Sequence, residues 1–151
     1  MRAATFTGRN NVSRKGAKAQ RRKGLKMKEN ELAKIVVDRC LKIHRALRPG
    51  LLESVYEEVL FYEFNTISIP CKRQVGIPVV YEDIKLDLGF RADMIIGDKI
   101  ILELKSVENI MPVHKKQLLT YLKLTGLKLG LLINFNVELV KNGITRIVNN
   151  L

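Results

Sequence analysis

The sequence predicts an α/β sandwich around one mixed sheet, with elements in the order ααβββαββ. Three observations carry that prediction. Apolar residues recur at helical spacing between about positions 31 and 65, the period then falls toward two, and a helical stretch begun by Pro112 separates two groups of strand-like runs. In the first helix Leu32, Ile35, Val36, Cys40, Ile43 and Leu47 recur every three or four residues, and Pro49-Gly50 stops it. A second helix spans about 51–65, with Leu52, Val55, Val59 and Leu60 as its apolar stripe. Val75, Ile77, Val79 and Tyr81 alternate as a strand, and Ile84, Leu86 and Leu88 lead into the strand bearing Asp93. The next strand carries Glu103 and Lys105. Pro112 suits the first turn of a third helix, which runs to about Thr125 and is closed by Gly126. Residues 129–135 form a buried-type strand, and Asn142-Gly143 marks a final hairpin ending in a strand over 144–148.

Composition bounds the rest. A chain of 151 residues, 46% hydrophobic and 28% charged, suits a single soluble core. Its longest apolar run, 129–135, is far too short to span a bilayer. Cys40 and Cys71 lack C-x-x-C spacing, which fits reduced thiols in a cytoplasmic chain better than a disulfide. The net charge of +12 is uneven. Residues 1–26 hold nine bases and no acid, while 27–151 hold 18 bases against 15 acids. The first segment is therefore expected to be a disordered basic tail preceding a domain over 27–151. It has the makeup of a transit peptide or a nucleic-acid-binding arm, and Met27 offers an alternative start that would exclude it.

The most informative stretch is Asp93…Glu103-Leu104-Lys105, charged groups set among apolar strand residues. Charges in such a strand are costly unless paired or bound to a metal. A two-residue turn at Gly97-Asp98 would pair Asp93 with Leu102 and send the two acids to opposite faces. A three-residue turn, Gly97-Asp98-Lys99, pairs Asp93 with Glu103, Cβ atoms about 4.5–5.5 Å apart, and this longer turn is the expected one. Carboxylates so close repel unless a proton or cation lies between them. Oxygen ligands of this kind suit Mg²⁺ or Mn²⁺. A solvated face with a Glu–Lys ion pair is the competing reading of so short a pattern.

Further features converge on that sheet. Gly50-Leu51-Leu52-Glu53-Ser54-Val55-Tyr56 spells G-x-x-E-x-x-Y, with Glu53, Tyr56 and Glu57 on one helical face. Gln117 and Tyr121 are stacked four apart on the third helix, with His114 one turn earlier, and His44-Arg45 ends the first. Arg73-Gln74-Val75, Arg91-Ala92-Asp93, Glu103-Leu104-Lys105-Ser106-Val107-Glu108, Pro112-Val113-His114 and Leu131-Leu132-Ile133-Asn134-Phe135 complete a set running through the core.

With these motifs, residues 30–149 or so resemble the GxxExxY proteins, a branch of the PD-(D/E)xK nuclease superfamily. Ala92 stands where the superfamily's name has Pro, and Arg48 where Gly is expected before Pro49-Gly50. The resemblance implies a restriction-endonuclease-like α/β/α core and metal-dependent hydrolysis of phosphodiester bonds. It casts Asp93, Glu103, the Leu104 backbone carbonyl and Glu53 as metal ligands for Mg²⁺ or Mn²⁺. Lys105 orients the attacking water and stabilises charge on the phosphate. Gln117 and Tyr121 resemble the Q-x-x-x-Y helix of RecB-type nucleases, and Tyr56 joins them in support. Surface acid, packing and structural roles remain the competing readings of Glu53, the two tyrosines, His44 and His114. The implied partner is nucleic acid, DNA ahead of RNA, with no membrane, no small-molecule cofactor, and room for a homodimer. A non-catalytic nucleic-acid-binding or regulatory module on the same fold is the alternative; retention of the acids and lysine favours the enzyme, while the net +3 of residues 27–151 counts against it as a weak electrostatic footprint for a DNA binder. A small-molecule phosphoesterase ranks last, because no Gly-rich phosphate cradle of the P-loop type is present.

Overall fold

Two helices precede the sheet in the computed structural model, which describes residues 14–16, 18, 19, 26–87 and 89–151. They are α1 (Glu29–Leu47) and α2 (Glu53–Thr66). Strands β1 (Cys71–Gly76), β2 (Val79–Tyr81), β3 (Ile84–Leu86), β4 (Arg91–Ile96) and β5 (Ile100–Lys105) follow. Helix α3 (Pro112–Thr125), β6 (Leu129–Asn134), a 3₁₀ turn (Val140–Gly143) and β7 (Ile144–Val148) complete the chain. The central sheet has the order β1-β4-β5-β6-β7. Its β5–β6 pair is parallel, bridged by the α3 crossover, and its other pairs are antiparallel. Among the strands of this sheet the order is the predicted ααβββαββ, and the sheet is mixed.

Alternation along β5 divides the core in two. Leu102 and Leu104 join Leu32, Val36, Tyr56 and Phe64 of α1 and α2 in one apolar cluster, whereas Ile101 packs with Leu118, Tyr121 and Leu122 of α3 in another. Helices therefore cover both faces. Leu129 through Asn134 are all buried, as a strand enclosed on both faces requires. Glu63 ties the first two helices together, bonding Arg39 Nη1 at 3.2 Å and Lys42 Nζ at 2.8 Å. Cys40 and Cys71 are both free. No described helix is long and apolar enough to cross a membrane.

Three sequence expectations need correction. The alternation from Val75 to Tyr81 is not one strand, and Ile84 does not run into β4. Ile77 is buried and its N–H reaches the Phe90 carbonyl at 2.8 Å, but Pro78 has no N–H to continue the ladder. The chain leaves the sheet there, and β2 pairs with β3 as a separate two-stranded hairpin, Val79 opposite Leu86 and Tyr81 opposite Ile84. Leu88 falls outside the described residues. Asn142-Gly143 likewise makes no tight hairpin turn: β6 and β7 pair as far as Ile133–Ile144, and the 3₁₀ turn fills the longer connection. Gly143 is required because a Cβ there would run into the Asn134 carbonyl oxygen. Most of the basic segment 1–26 lies outside the described residues.

Candidate active site

The hairpin β4–β5 pairs Met94 with Leu102, Ile95 with Ile101 and Ile96 with Ile100. Its turn is therefore the three-residue 97–99, and one further step of the same register sets Asp93 opposite Glu103. Gly97 (φ +59°) and Asp98 (φ +55°) make the bend. Glycine is needed at 97 twice over, since a Cβ would also stand 2.7 Å from Leu32 Cδ2 of α1.

Regular pairing stops one step short of the acids, and their side chains take over. The Asp93 N–H donates to Glu103 Oε1 at 3.1 Å, and the Leu104 N–H donates to Asp93 Oδ2 at 2.8 Å. Each carboxylate thus accepts from the opposite strand. Glu103 is only 5% exposed. Burial, reinforced by the neighbouring Asp93 charge, pushes its carboxyl up to about 8, against the pull of the Asp93 N–H and Lys105. Burial raises Asp93 as well, with Glu57 and Glu53 adding repulsion while the Leu104 N–H and Lys105 oppose it. Two carboxylates this close, the Asp93 charge opposing that of Glu103, are a donor set that would suit a hard cation.

Lys105 ends β5 on the same alternation as Glu103, half-buried opposite Asn134 of β6. The chain around it is locked. Phe135 N–H donates to the Lys105 carbonyl at 2.9 Å. Buried Asn134 accepts from Val107 N–H at 3.1 Å and donates to the Val107 carbonyl at 2.8 Å, so the exit from β5 cannot drift.

Helix α2 starts at Glu53, whose Oε1 accepts from Ser106 N–H at 3.2 Å. Ser106 Oγ in turn donates to the Leu51 carbonyl at 2.6 Å. Glu53 and Asp93 line one open cleft of about 510 Å³, together with Leu52, Glu57, Gln74 and Ser106. Among the described residues, however, no three His, Cys, Asp or Glu side chains close into a metal-binding cluster. Asp93 and Glu103 meet directly, and Glu53 stands apart on the α2 side of the cleft, held by Ser106.

Tyr56 explains the spacing of G-x-x-E-x-x-Y. It is fully buried, its ring stacked on Phe135 at 4.2 Å. Its hydroxyl donates to the Arg48 carbonyl at 2.6 Å and accepts from Leu51 N–H at 3.3 Å. Gly50 supplies the bend between them at φ +106°. The motif is thus a turn, the acid it delivers and the clamp that holds the turn. Arg48 sits at φ 62°, ψ 173°, a region that suits glycine alone. Arg48→Gly is therefore expected to stabilise the fold by about 1 kcal/mol, strain relief outweighing the greater freedom of glycine in the unfolded chain. Urea denaturation of both proteins would measure it, and a lowered midpoint for the glycine variant would count against strain at this turn.

On α3, Gln117 Nε2 donates to the Tyr121 hydroxyl at 2.8 Å. Tyr121 is 2% exposed and meets Phe90 edge-on at 6.0 Å. Burial raises its hydroxyl pKa first, and the Glu103 charge second, which puts the pair beside the acids. The histidines are structural: His114 Nδ1 accepts from Met111 N–H at the start of α3, and buried His44 bonds the Val137 carbonyl at 2.7 Å.

Two neighbours of the site had no role assigned from sequence. Glu57, buried on α2, accepts from Arg73 Nε at 2.9 Å and from Gln74 Nε2 at 2.7 Å. Arg73-Gln74-Val75 is among the matching stretches, which is the one available signal. The backbone of Gln74, at φ +48°, could not be read from a non-glycine residue.

The sequence profile of the PD-(D/E)XK nuclease superfamily matches residues 30–147. No curated protein matches the chain. No solved structure matches it.

Proposed function

Since the chain belongs to the PD-(D/E)XK nuclease superfamily, we propose that it hydrolyses phosphodiester bonds of nucleic acid with the help of a divalent cation held by Asp93 and Glu103. One observation carries this reading: the hairpin register sets those two carboxylates against each other, with Lys105 two residues beyond. The Leu104 carbonyl joins the proposed ligand set, waters fill the remaining positions, and Glu53, which stands apart on the α2 side, reaches the ion through one of those waters. Mg²⁺ or Mn²⁺ is the proposed ion, on the strength of the all-oxygen donors. Such an ion, when bound, polarises the phosphate and makes a bound water more acidic.

The chain's own groups do the rest. Asp93 and Glu103 hold the ion where burial strengthens every charge interaction. The Lys105 ammonium orients the attacking water and stabilises the charge developing on the phosphate. Gln117 and Tyr121 position Lys105 or a phosphate oxygen from the α3 side. Tyr56 acts at a distance, by keeping the turn that delivers Glu53. The G-x-x-E-x-x-Y spacing supports placement in the GxxExxY branch. DNA is proposed ahead of RNA, two free thiols support a cytoplasmic setting, and a homodimer is an allowed assembly.

The test is direct. Purified protein is incubated with single- and double-stranded DNA and RNA, with Mg²⁺, with Mn²⁺ and with chelator. Cleavage that requires an added cation is the expected result. Its absence across metals and substrates would leave the non-catalytic binding or regulatory module on the same fold.

A further inference from the structure

The β1–β4 pair has a gap beside the acids. Arg73 pairs with Met94 and Val75 with Ala92, but the rung between them, Gln74 opposite Asp93, is missing. Gln74 occupies that gap at φ +48°, a conformation unfavourable for a side chain of its size. Its amide has a defined orientation. Glu57 is acceptor-only when ionised, so it can face only the amide nitrogen, at 2.7 Å. The carbonyl oxygen is left for the cleft that Gln74 shares with Glu53 and Asp93, and it accepts no bond among the described residues.

This side of the cleft therefore offers acceptors: the carboxylates of Asp93, Glu53 and Glu57, and the Gln74 oxygen. A phosphate would be repelled there, whereas a hydrated divalent cation presents O–H donors in several directions. A neutral amide supplies one more acceptor without adding to the negative charge. We propose that Gln74 is a positioning residue for the hydrated cation, taking a hydrogen bond from a metal-bound water, with Glu57 and Arg73 holding it in place. The inference rests on the cation-dependent reading of the site given above. Partners of this outer kind typically change metal affinity by about 10–100-fold.

Mn²⁺ binding to the full chain, followed by paramagnetic resonance of the free ion, tests this without any turnover. Gln74→Met should bind Mn²⁺ about 10-fold more weakly than the unmodified protein. Gln74→Gly separates positioning from folding, because glycine suits φ +48° and should raise the melting temperature of the metal-free protein. It should nevertheless weaken Mn²⁺ binding as much as methionine does. Unchanged Mn²⁺ affinity in both variants, with Glu103→Gln clearly weakened, would overturn the role of Gln74 while leaving the metal site standing. If Glu103→Gln binds as tightly as the unmodified protein, or the unmodified protein binds no Mn²⁺, the metal site fails and the proposal with it. Affinity restored in Gln74→Gly relative to Gln74→Met would mean that the methionine effect came through the fold, and would also overturn the proposal.

Discussion

Lys105→Met is expected to reduce phosphodiester cleavage by about 10²–10³-fold while leaving the fold and cation binding nearly unchanged. Lys105 shares its side of β5 with Glu103 and in the proposed mechanism is no metal ligand, so its charge would act on the attacking water and on the phosphate in the transition state. Methionine keeps the apolar stem of this half-buried side chain and removes the ammonium. Asn134 and Phe135 hold the adjacent backbone through main-chain and amide bonds that the substitution does not touch. Single-turnover cleavage rates measured beside Mn²⁺ affinities would check this. Cleavage surviving at full rate in a preparation free of contaminating nuclease would remove Lys105 from the mechanism.

Phe135→Ala should have the largest effect on stability, a loss of about 3–5 kcal/mol. That is a large share of the roughly 5–15 kcal/mol that holds an ordinary domain folded. Phe135 has no exposed surface, stacks face to face on Tyr56, and lies 6.4 Å from the His44 ring. Truncation opens a cavity where α1, α2 and the end of β6 meet. It also removes the platform under Tyr56, so the turn carrying Glu53 loosens together with the core. Chemical denaturation should show the destabilisation, and a change below about 1 kcal/mol would mean that neighbouring side chains close the cavity.

The sequence was most informative where a local rule had only two outcomes. The face of Asp93 depended on turn length alone, and of the two lengths considered the expected three-residue Gly97-Asp98-Lys99 turn is the one the register shows. Helix α3 was equally plain, since Pro112 opens it and Gly126 closes it with φ +72°. Period alone failed at 75–81, because alternation continues through Ile77 and Pro78 whether or not the chain remains in one sheet. Only the competition for a ladder partner decides that, and Pro78 cannot take part. The Glu57–Arg73–Gln74 network was beyond reach for another reason. It joins a helix to a strand 16 or 17 residues away, through side chains that could equally have faced solvent. Tyr56 was recognised in its motif, but a buried partner, Phe135, lies far along the chain, so packing and function could not be weighed beforehand.

The two bonds that replace the last rung between β4 and β5 make the backbone itself a recorder of the site. The amide protons of Asp93 and Leu104 point at carboxylate oxygens of Glu103 and Asp93, not at peptide carbonyls. Their nuclear resonance frequencies and rates of exchange with solvent therefore follow whatever those oxygens are engaged with. Ile101 and Leu102, paired on both sides within the central strand, are insulated from that influence. Two spectral lines thus distinguish a ligand seated between the acids from one bound elsewhere on the surface, with no substrate present and no residue altered.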